Sequence, residues 1–348
     1  MKAGAENLTE HLLAEILRHA HRYAPGTEQS RPALVPSSDS GWRRLIAQGR
    51  EHSRDLVERT AARLGFSHRH FDPDVAAERL HRVLELSEGL NSTYALLADG
   101  DSRQAIVDVL KLRVLGPFHA TLQITPQTYR ARQAQVDREL RSKKATFEVS
   151  DPWFSPLSLY QVPVDGGSPV SLHSHSVDVV SVFVLNQYSY LHGARRVQAQ
   201  TGDVVLDIGG CWGDTALYFA SLVGPTGKVY TFEFDPESLE ILRANLSLNP
   251  RLAERIEVVE HALWDSSGEV LDFRQAGRMT AVIDAAADAT AGHVSTITLD
   301  DFVEQKGIDR IGFVKMDVEG AELRVLSGAQ HALKKFAPNL AIAAYHHD

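Results

Sequence analysis

The stretch Val204-Val205-Leu206-Asp207-Ile208-Gly209-Gly210-Cys211-Trp212-Gly213-Asp214-Thr215 restricts what this chain can fold into more than any other part of it. A short apolar run ends in an acid, and glycines follow at a spacing that turns the backbone sharply into a helix. Strand, glycine loop and helix start, in that order, are how doubly wound sheets hold a nucleotide-like ligand. A second apolar run, Val229-Tyr230-Thr231-Phe232-Glu233, also closes on an acid. An acid about 20 residues beyond the glycines, at the tip of the next strand, accepts from both hydroxyls of a ribose. The dinucleotide fingerprint does not fit, because Cys211 stands where the middle glycine belongs. A tight strand-to-helix turn that only needs small residues is the plainer alternative.

At 348 residues the chain has room for two domains, and 43% hydrophobic with 23% charged residues is ordinary for a globular protein. Its formal charge of -9 is uneven: residues 1–150 carry 22 Lys and Arg against 19 Asp and Glu, residues 151–348 only 14 against 26. An acidic half that carries the glycine loop repels phosphate backbones, which argues against a nucleic-acid polymer as partner. The single cysteine, Cys211, excludes an internal disulfide and a cysteine-based zinc cluster. The longest apolar stretch, Val179 to Leu185 with Ser181 inside it, is far too short to span a bilayer. The first residues lack a basic region followed by an apolar core, so no secretory signal and a cytoplasmic protein are expected.

The first 150 residues read mostly as helix. Asn7 and Glu10 have capping-box spacing, and Leu8, Leu12, Leu13, Ile16 and Leu17 recur at helical intervals. Pro25 to Ser40 reads as a loop, and Trp42 to about Gly65 as a second helix. A third is expected from Asp74 to Leu90, a fourth capped by Asp101, and a polar fifth opened by Thr125-Pro126 and running to about Ser142. These helices form either an acceptor-binding lid or a packing and dimerisation domain. Leu157 to Val164 reads as a strand, Asp165-Gly166-Gly167 as a turn, and Val177 to Gln187 as either strand or buried helix. After Gly202 strands and helices alternate: strands at 204–208, 229–233, 256–259, 311–316 and 340–344, with helices from about 213, Asp235-Pro236 and Ala321, and a short segment at Glu269–Phe273. That alternation means a parallel sheet covered on both faces. The expected division is a helical region at 1–150, a bridge at 151–200 and a sheet domain at 201–348.

The Asp207 and Gly209/Gly213 pattern resembles the S-adenosylmethionine (SAM) loop of class I methyltransferases. From about residue 200 to 346 the chain resembles the FkbM-type family of these enzymes. The carrying blocks are Asp207 to Ala220, Phe232-Glu233-Phe234-Asp235-Pro236, Thr298-Leu299-Asp300-Asp301-Phe302, Val314-Lys315-Met316-Asp317-Val318-Glu319-Gly320-Ala321-Glu322 and Ala341-Ile342-Ala343-Ala344-Tyr345-His346. Tyr94 to Leu110, with Asp101-Ser102-Arg103, also resembles the helical leader of some long members. The resemblance implies an α/β, Rossmann-like class I methyltransferase sheet, SAM as cofactor, and O-methylation, commonly of hydroxyls on sugars, glycolipids or polyketide-type natural products. Members usually continue past the Tyr-His with a helix and a closing hairpin, whereas this sequence stops at Asp348. Either the chain is shortened or residues 155–190 supply the missing edge. An open fifth strand would invite pairing with a second copy, as the helical domain also would.

In that reading Asp207 either accepts from the cofactor's ammonium or buttresses the loop, and Gly209, Gly210 and Gly213 let the backbone come close. Asp214 and Thr215 bond the methionine part or simply cap a helix. Glu233 takes the ribose, Phe234 flanks the adenine, and Ala262 and Leu263 line its far side. Cys211 is a packed side chain, and Trp212 covers the cofactor or fills space. Asp317, Glu319 and His346 are the catalytic candidates: Asp317 or His346 as general base for a hydroxyl, or the three together as a site for Mg²⁺. His173 and His175 alternate on one strand face, where a satisfied or solvated pair is favoured over a metal site. Two other functions stay open: methylation of a protein side chain or an RNA end, and SAM binding without catalysis in a regulatory or scaffold protein.

Overall fold

The computed structural model describes residues 8–23, 73–116, 124, 126–150, 155–164, 167–192, 195–274, 281–283 and 292–344. The chain divides into two compact units, Met1–Pro126 and Gln127–Asp348. The expected helix over 42–65, the loop over 25–40, Asn7 and His346 lie outside the described residues.

In the first unit, α1 (Leu8–Tyr23), α2 (Pro73–Glu85), α3 (Ser87–Leu96) and α4 (Gly100–Leu115) pack around Leu8, Leu12, Ile16, Tyr94, Val107 and Val114. The single helix expected over Asp74–Leu90 is two, because the chain bends at Leu86, whose N–H reaches back only to Val83 O. The break re-aims α3 so that Tyr94 enters the core. The cap of α4 is Asp99, not Asp101: its carboxylate accepts from Ser102 N at 2.7 Å, the N–H three residues on that an N-cap serves.

The second unit begins with α5 (Pro126–Glu139), which ends before Ser142 because Arg141–Phe147 is a strand, β1. It pairs antiparallel with β2 (Leu157–Val162), and β2 with β3 (Val170–Ser174). That pairing puts α5 and β1 with the sheet unit, although the sequence alone draws its boundary at 150. The free edge of β3 is closed by a helix through side-chain amides. Asn245 Oδ1 accepts from His173 N at 2.7 Å and its Nδ2 donates to His173 O at 3.0 Å; Asn249 does the same for Ser171. Residues 176–184 then resolve the strand-or-helix ambiguity as helix: a turn at Ser176–Asp178 runs into a π-helix, Val179–Val184. A hairpin of β4 (Tyr190–His192) and β5 (Arg195–Val197) follows.

The centre is a five-stranded, all-parallel sheet. In chain order its elements are β6 (Val204–Ile208), α6 (Asp214–Val223), β7 (Lys228–Phe232), α7 (Pro236–Ser247), β8 (Ile256–Val259), then β13 (Phe313–Met316) and β14 (Asn339–Ile342). The spatial order is β14-β13-β6-β7-β8. Between β8 and β13 lies a smaller sheet of β9 (Ala262–Leu263), β10 (Val270–Arg274), β11 (Ala281–Ile283) and β12 (Gly292–Ile297), then α8 (Leu299–Lys306); α9 (Glu322–Ser327) and α10 (Gln330–Phe336) join β13 to β14. Period-two alternation sends Val205, Val229 and Phe313 to one face with α6, and Leu206, Ile208, Val314 and Met316 to the other with α8 and α10. Each such side chain, fully buried, contributes roughly 1.5–3 kcal/mol. Residues 155–190 do not extend the main sheet: among the described residues β14 pairs only with β13, and its Leu340 is exposed.

Candidate active site

The strand order reverses between β6 and β13, so their loops diverge and leave a crevice at their carboxyl ends, where such sheets bind ligands. The glycine loop after β6 fits there only as glycine. Gly209 has φ +85°, and a Cβ on it would lie 2.0 Å from Asp317 O; a Cβ on Gly210 would lie 2.1 Å from Thr231 Oγ1. Gly213 (φ +79°) opens α6 with its flank against Leu242. Cys211 takes φ +43°, a conformation that costs an L-residue energy. It is held by a hydrogen bond from its N–H to Glu233 Oε2 at 2.8 Å.

Behind the loop, a polar ladder crosses three strands. Asp207 is paired with Lys315 on one side and Thr231 on the other. Its carboxylate accepts from Thr215 Oγ1 at 2.8 and 3.0 Å and from Thr231 Oγ1 at 3.0 Å, and lies 3.4 Å from Lys315 Nζ. Lys315 also donates to the carbonyl of Gly209. Burial alone would lower the Lys315 pKa, but the Asp207 carboxylate beside it outweighs that and holds it above the ordinary lysine value. Of the two roles foreseen for Asp207, buttressing the loop is the one its bonds serve. Lys315 sits inside a quoted motif, yet the sequence assigned it nothing. An isolated charge in an otherwise buried strand was the available signal.

Glu233, just past β7, is the most constrained acid of the crevice. Its carboxylate accepts from three backbone N–H groups: Cys211 at 2.8 Å, Phe234 at 2.7 Å and Asp235 at 2.8 Å. Desolvation outweighs those bonds and pushes its pKa up to about 7. Asp235, fully buried at the start of α7, is raised to about 6, again by burial.

Two hollows open on either side of this loop. A narrow cleft of about 80 Å³ is lined by Gly209, Glu233, Phe234, Ala262, Leu263 and Trp264, among others. Phe234 is fixed there edge-on to Phe273, 5.1 Å between centroids. A wider cavity of about 350 Å³ is lined by Asp214, Thr215, Lys315 and the 177–188 segment. Gly209, Cys211, Asp317 and Glu319 line both and form the waist between them. Glu319, at φ +52°, is held in the turn after β13, where Val318 N donates to Glu322 Oε1 at 3.2 Å.

The structure thus gathers Gly209, Glu233, Phe234, Ala262, Leu263, Asp317 and Glu319 on one cleft, and Asp214 and Thr215 on its neighbour. Asp207, Gly210 and Gly213 lie behind the surface as scaffold. Trp212 packs with Leu157 and Ile241 and also lines the wider cavity. His261, Trp264 and Ser238 on the cleft, and Gln187 and Tyr188 on the cavity, were not foreseen. Their sequence neighbourhoods have no distinguishing periodicity. His173 and His175 face different aromatic rings, Phe147 and Trp212. Among the described residues no group of three His, Cys, Asp or Glu is arranged to hold a metal ion.

A parallel sheet of this order, with a glycine turn after its central strand and an acid after the next, defines the class I methyltransferase fold. The Methyltransferase FkbM domain family matches residues 193–348, the part of the chain that carries the parallel sheet and the glycine loop. Over 167 residues the chain is 32% identical to the 31-O-demethyl-FK506 methyltransferase FkbM of Streptomyces tacrolimicus, a match spanning 39% of this chain and 63% of that protein. It is 29% identical over 140 residues to the hexuronic acid methyltransferase AglP of Haloferax volcanii, spanning 39% of this chain and 54% of AglP. The chain therefore spans less than two thirds of the length of these relatives. A crystal structure of methyltransferase FkbM from Methylobacillus flagellatus KT aligns with 18% identity and a TM-score of 0.45, covering 85% of this chain and 61% of that one.

Proposed function

We propose that this protein is a SAM-dependent O-methyltransferase acting on a hydroxyl of a small molecule, sugar or natural product. The observation that carries the reading is Glu233. Three backbone N–H groups fix its carboxylate at the rim of a cleft otherwise walled by Phe234, Ala262 and Leu263. A carboxylate has about four lone-pair sites and three are taken, two on Oε1 and one on Oε2, so capacity remains for one ribose hydroxyl. The walls suit a flat heteroaromatic base, and the Gly209 turn admits a ligand where any Cβ would strike Asp317 O. SAM bound here supplies an electrophilic methyl group on a sulfonium. The chain's own residues do the rest.

Asp317 and Glu319 line both hollows at the waist, which supports a role for them in orienting an acceptor hydroxyl for in-line displacement, and orienting it supplies much of the rate. A carboxylate there that takes the hydroxyl proton adds roughly 10²–10⁴-fold. FkbM of S. tacrolimicus, named for 31-O-demethyl-FK506, supports an oxygen-bearing small molecule as acceptor.

Calorimetry with SAM and S-adenosylhomocysteine tests the reading. Affinity in the micromolar range, about -8 kcal/mol, is expected. Glu233→Ala should weaken it by roughly 1.5–3 kcal/mol for each charged hydrogen bond lost. Unchanged affinity in that variant removes the ribose assignment.

A further inference from the structure

The wider cavity has a wall that the FkbM domain does not supply. Asp178, Ser181, Gln187 and Tyr188 line it, and all precede residue 193, where the family match begins. Their segment is anchored on both flanks. Asn245 and Asn249 clamp the strand before it, and the Tyr129 hydroxyl donates to Val177 O at 3.0 Å and meets Ser181 Oγ at 2.9 Å. The helix here is wound as a π-helix, a rare widening that recurs at functional sites. Gln187 N then reaches back to Ser181 O at 3.0 Å, which sets Gln187 and Tyr188 at the cavity. Among the described residues neither the Gln187 amide nor the Tyr188 hydroxyl hydrogen-bonds a protein group. Burial raises the Tyr188 pKa, so the phenol keeps its proton and is a donor. Four carboxylates, of Asp178, Asp214, Asp317 and Glu319, belong to the same lining. The one lysine in it, Lys315, is committed to Asp207 and to the Gly209 carbonyl.

Resting on the SAM reading above, we propose that residues 176–188 form the acceptor wall, where Gln187 and Tyr188 bind a neutral hydroxylated acceptor and the surrounding carboxylates turn away carboxylated or phosphorylated ones. The segment selects the acceptor; the FkbM domain holds the cofactor. The selection is electrostatic, since a cavity lined by one sign of charge changes local ligand concentration by 10-fold or more.

Thiol labelling tests this without knowledge of the acceptor. Wild type carries one thiol, Cys211, at the waist; Tyr188→Cys in a Cys211→Ser background moves the thiol to the proposed wall. Gln187→Cys in the same background serves if the first variant does not fold. Each is treated with a trimethylammonium or a sulfonate methanethiosulfonate, rates being normalised to a free thiol. The cationic reagent should modify the wall thiol at least about tenfold faster, and adding Asp178→Asn should shrink that ratio. A ratio near one, or an unreactive thiol in a folded variant, overturns the proposal. S-adenosylhomocysteine should protect Cys211 and leave the wall thiol reactive; equal protection of both assigns the wall to the cofactor and also overturns it. If calorimetry finds no S-adenosylhomocysteine binding, the SAM reading fails, while the charge ratio still decides the character of the wall.

Discussion

Asp207→Asn removes one charge from the ladder behind the glycine loop and changes little in shape, so its cost can be worked from the bonds present. The carboxylate is fully buried, Lys315 has 3% of its side chain exposed, and the two are 3.4 Å apart. Asparagine keeps one oxygen to accept from Thr215 or Thr231, but turns an NH₂ toward the second hydroxyl or toward the ammonium. Loss of one charge-assisted bond costs about 1.5–3 kcal/mol. Leaving Lys315 buried without its counter-ion brings the total to about 3–5 kcal/mol, a large share of a domain's stability. The pH dependence separates this cause from lost packing. In wild type the Lys315 pKa is raised, so its contribution is intact below the unfolded value of about 10.4 and is lost only as pH rises through the higher folded value. In the variant, burial is no longer outweighed by Asp207 and the folded pKa drops below the unfolded one. Stability then rises with pH from 7 toward 10, by less than about 1.4 kcal/mol per unit because Asp317 and Asp214 still favour the charged form. Urea unfolding of both proteins at pH 7, 8, 9 and 10 measures the difference. The double variant Asp207→Asn/Lys315→Met should recover at least about half of the loss. A loss under about 1 kcal/mol, or parallel pH profiles, refutes a buried pair that holds the loop.

Gly209→Ala should cost at least about 2 kcal/mol, from left-handed strain of about 1–2 kcal/mol plus displacement of Asp317 O, and weaken SAM binding by at least about tenfold; calorimetry and urea unfolding read both. Because burial raises the Glu233 pKa to about 7 and its ionised form is the better acceptor for a ribose hydroxyl, SAM affinity should increase from pH 6 to pH 8, and Glu233→Gln should flatten that rise. Asp317→Asn should lower the single-turnover rate at saturating SAM by at least about tenfold with SAM affinity little changed, whereas equal rates would move the acceptor chemistry elsewhere. Loss of activity in EDTA, restored by Mg²⁺, would assign Asp317 and Glu319 to a metal, and no effect would assign them to proton transfer. Cys211→Ser should retain most SAM affinity, since the bond that holds this residue comes from its backbone N–H; turnover lost at normal affinity would contradict a structural role.

Local chemistry made the glycine-loop side of the sheet legible from residue order alone. A glycine that must sit at φ +85° against a carbonyl, an acid one strand later and a proline opening the next helix are all properties of short segments. They place β6, α6, β7 and α7, and they single out Gly209, Glu233 and Phe234, which line the cleft. Period-two apolar runs likewise announced a parallel sheet buried on both faces. What the sequence left open depends on which distant segments meet. Val177 to Leu185 is apolar throughout except for Asp178 and Ser181, so no periodicity separated strand from helix; packing against α6 decided for a π-helix. Asn245, on α7, and Asn249, just past its end, look like ordinary polar positions until β3 lies alongside and needs partners for its edge. Lys315 became interpretable only with Asp207 opposite it in register, 108 positions away in sequence. Tyr188 and Gln187, in a segment without any motif, reach the cavity through two asparagine clamps and one tyrosine hydroxyl. The cleft beside the glycine loop is built largely from short segments and could be read in the sequence; the cavity next to it is built from long-range contacts, and only the folded chain brings those residues together.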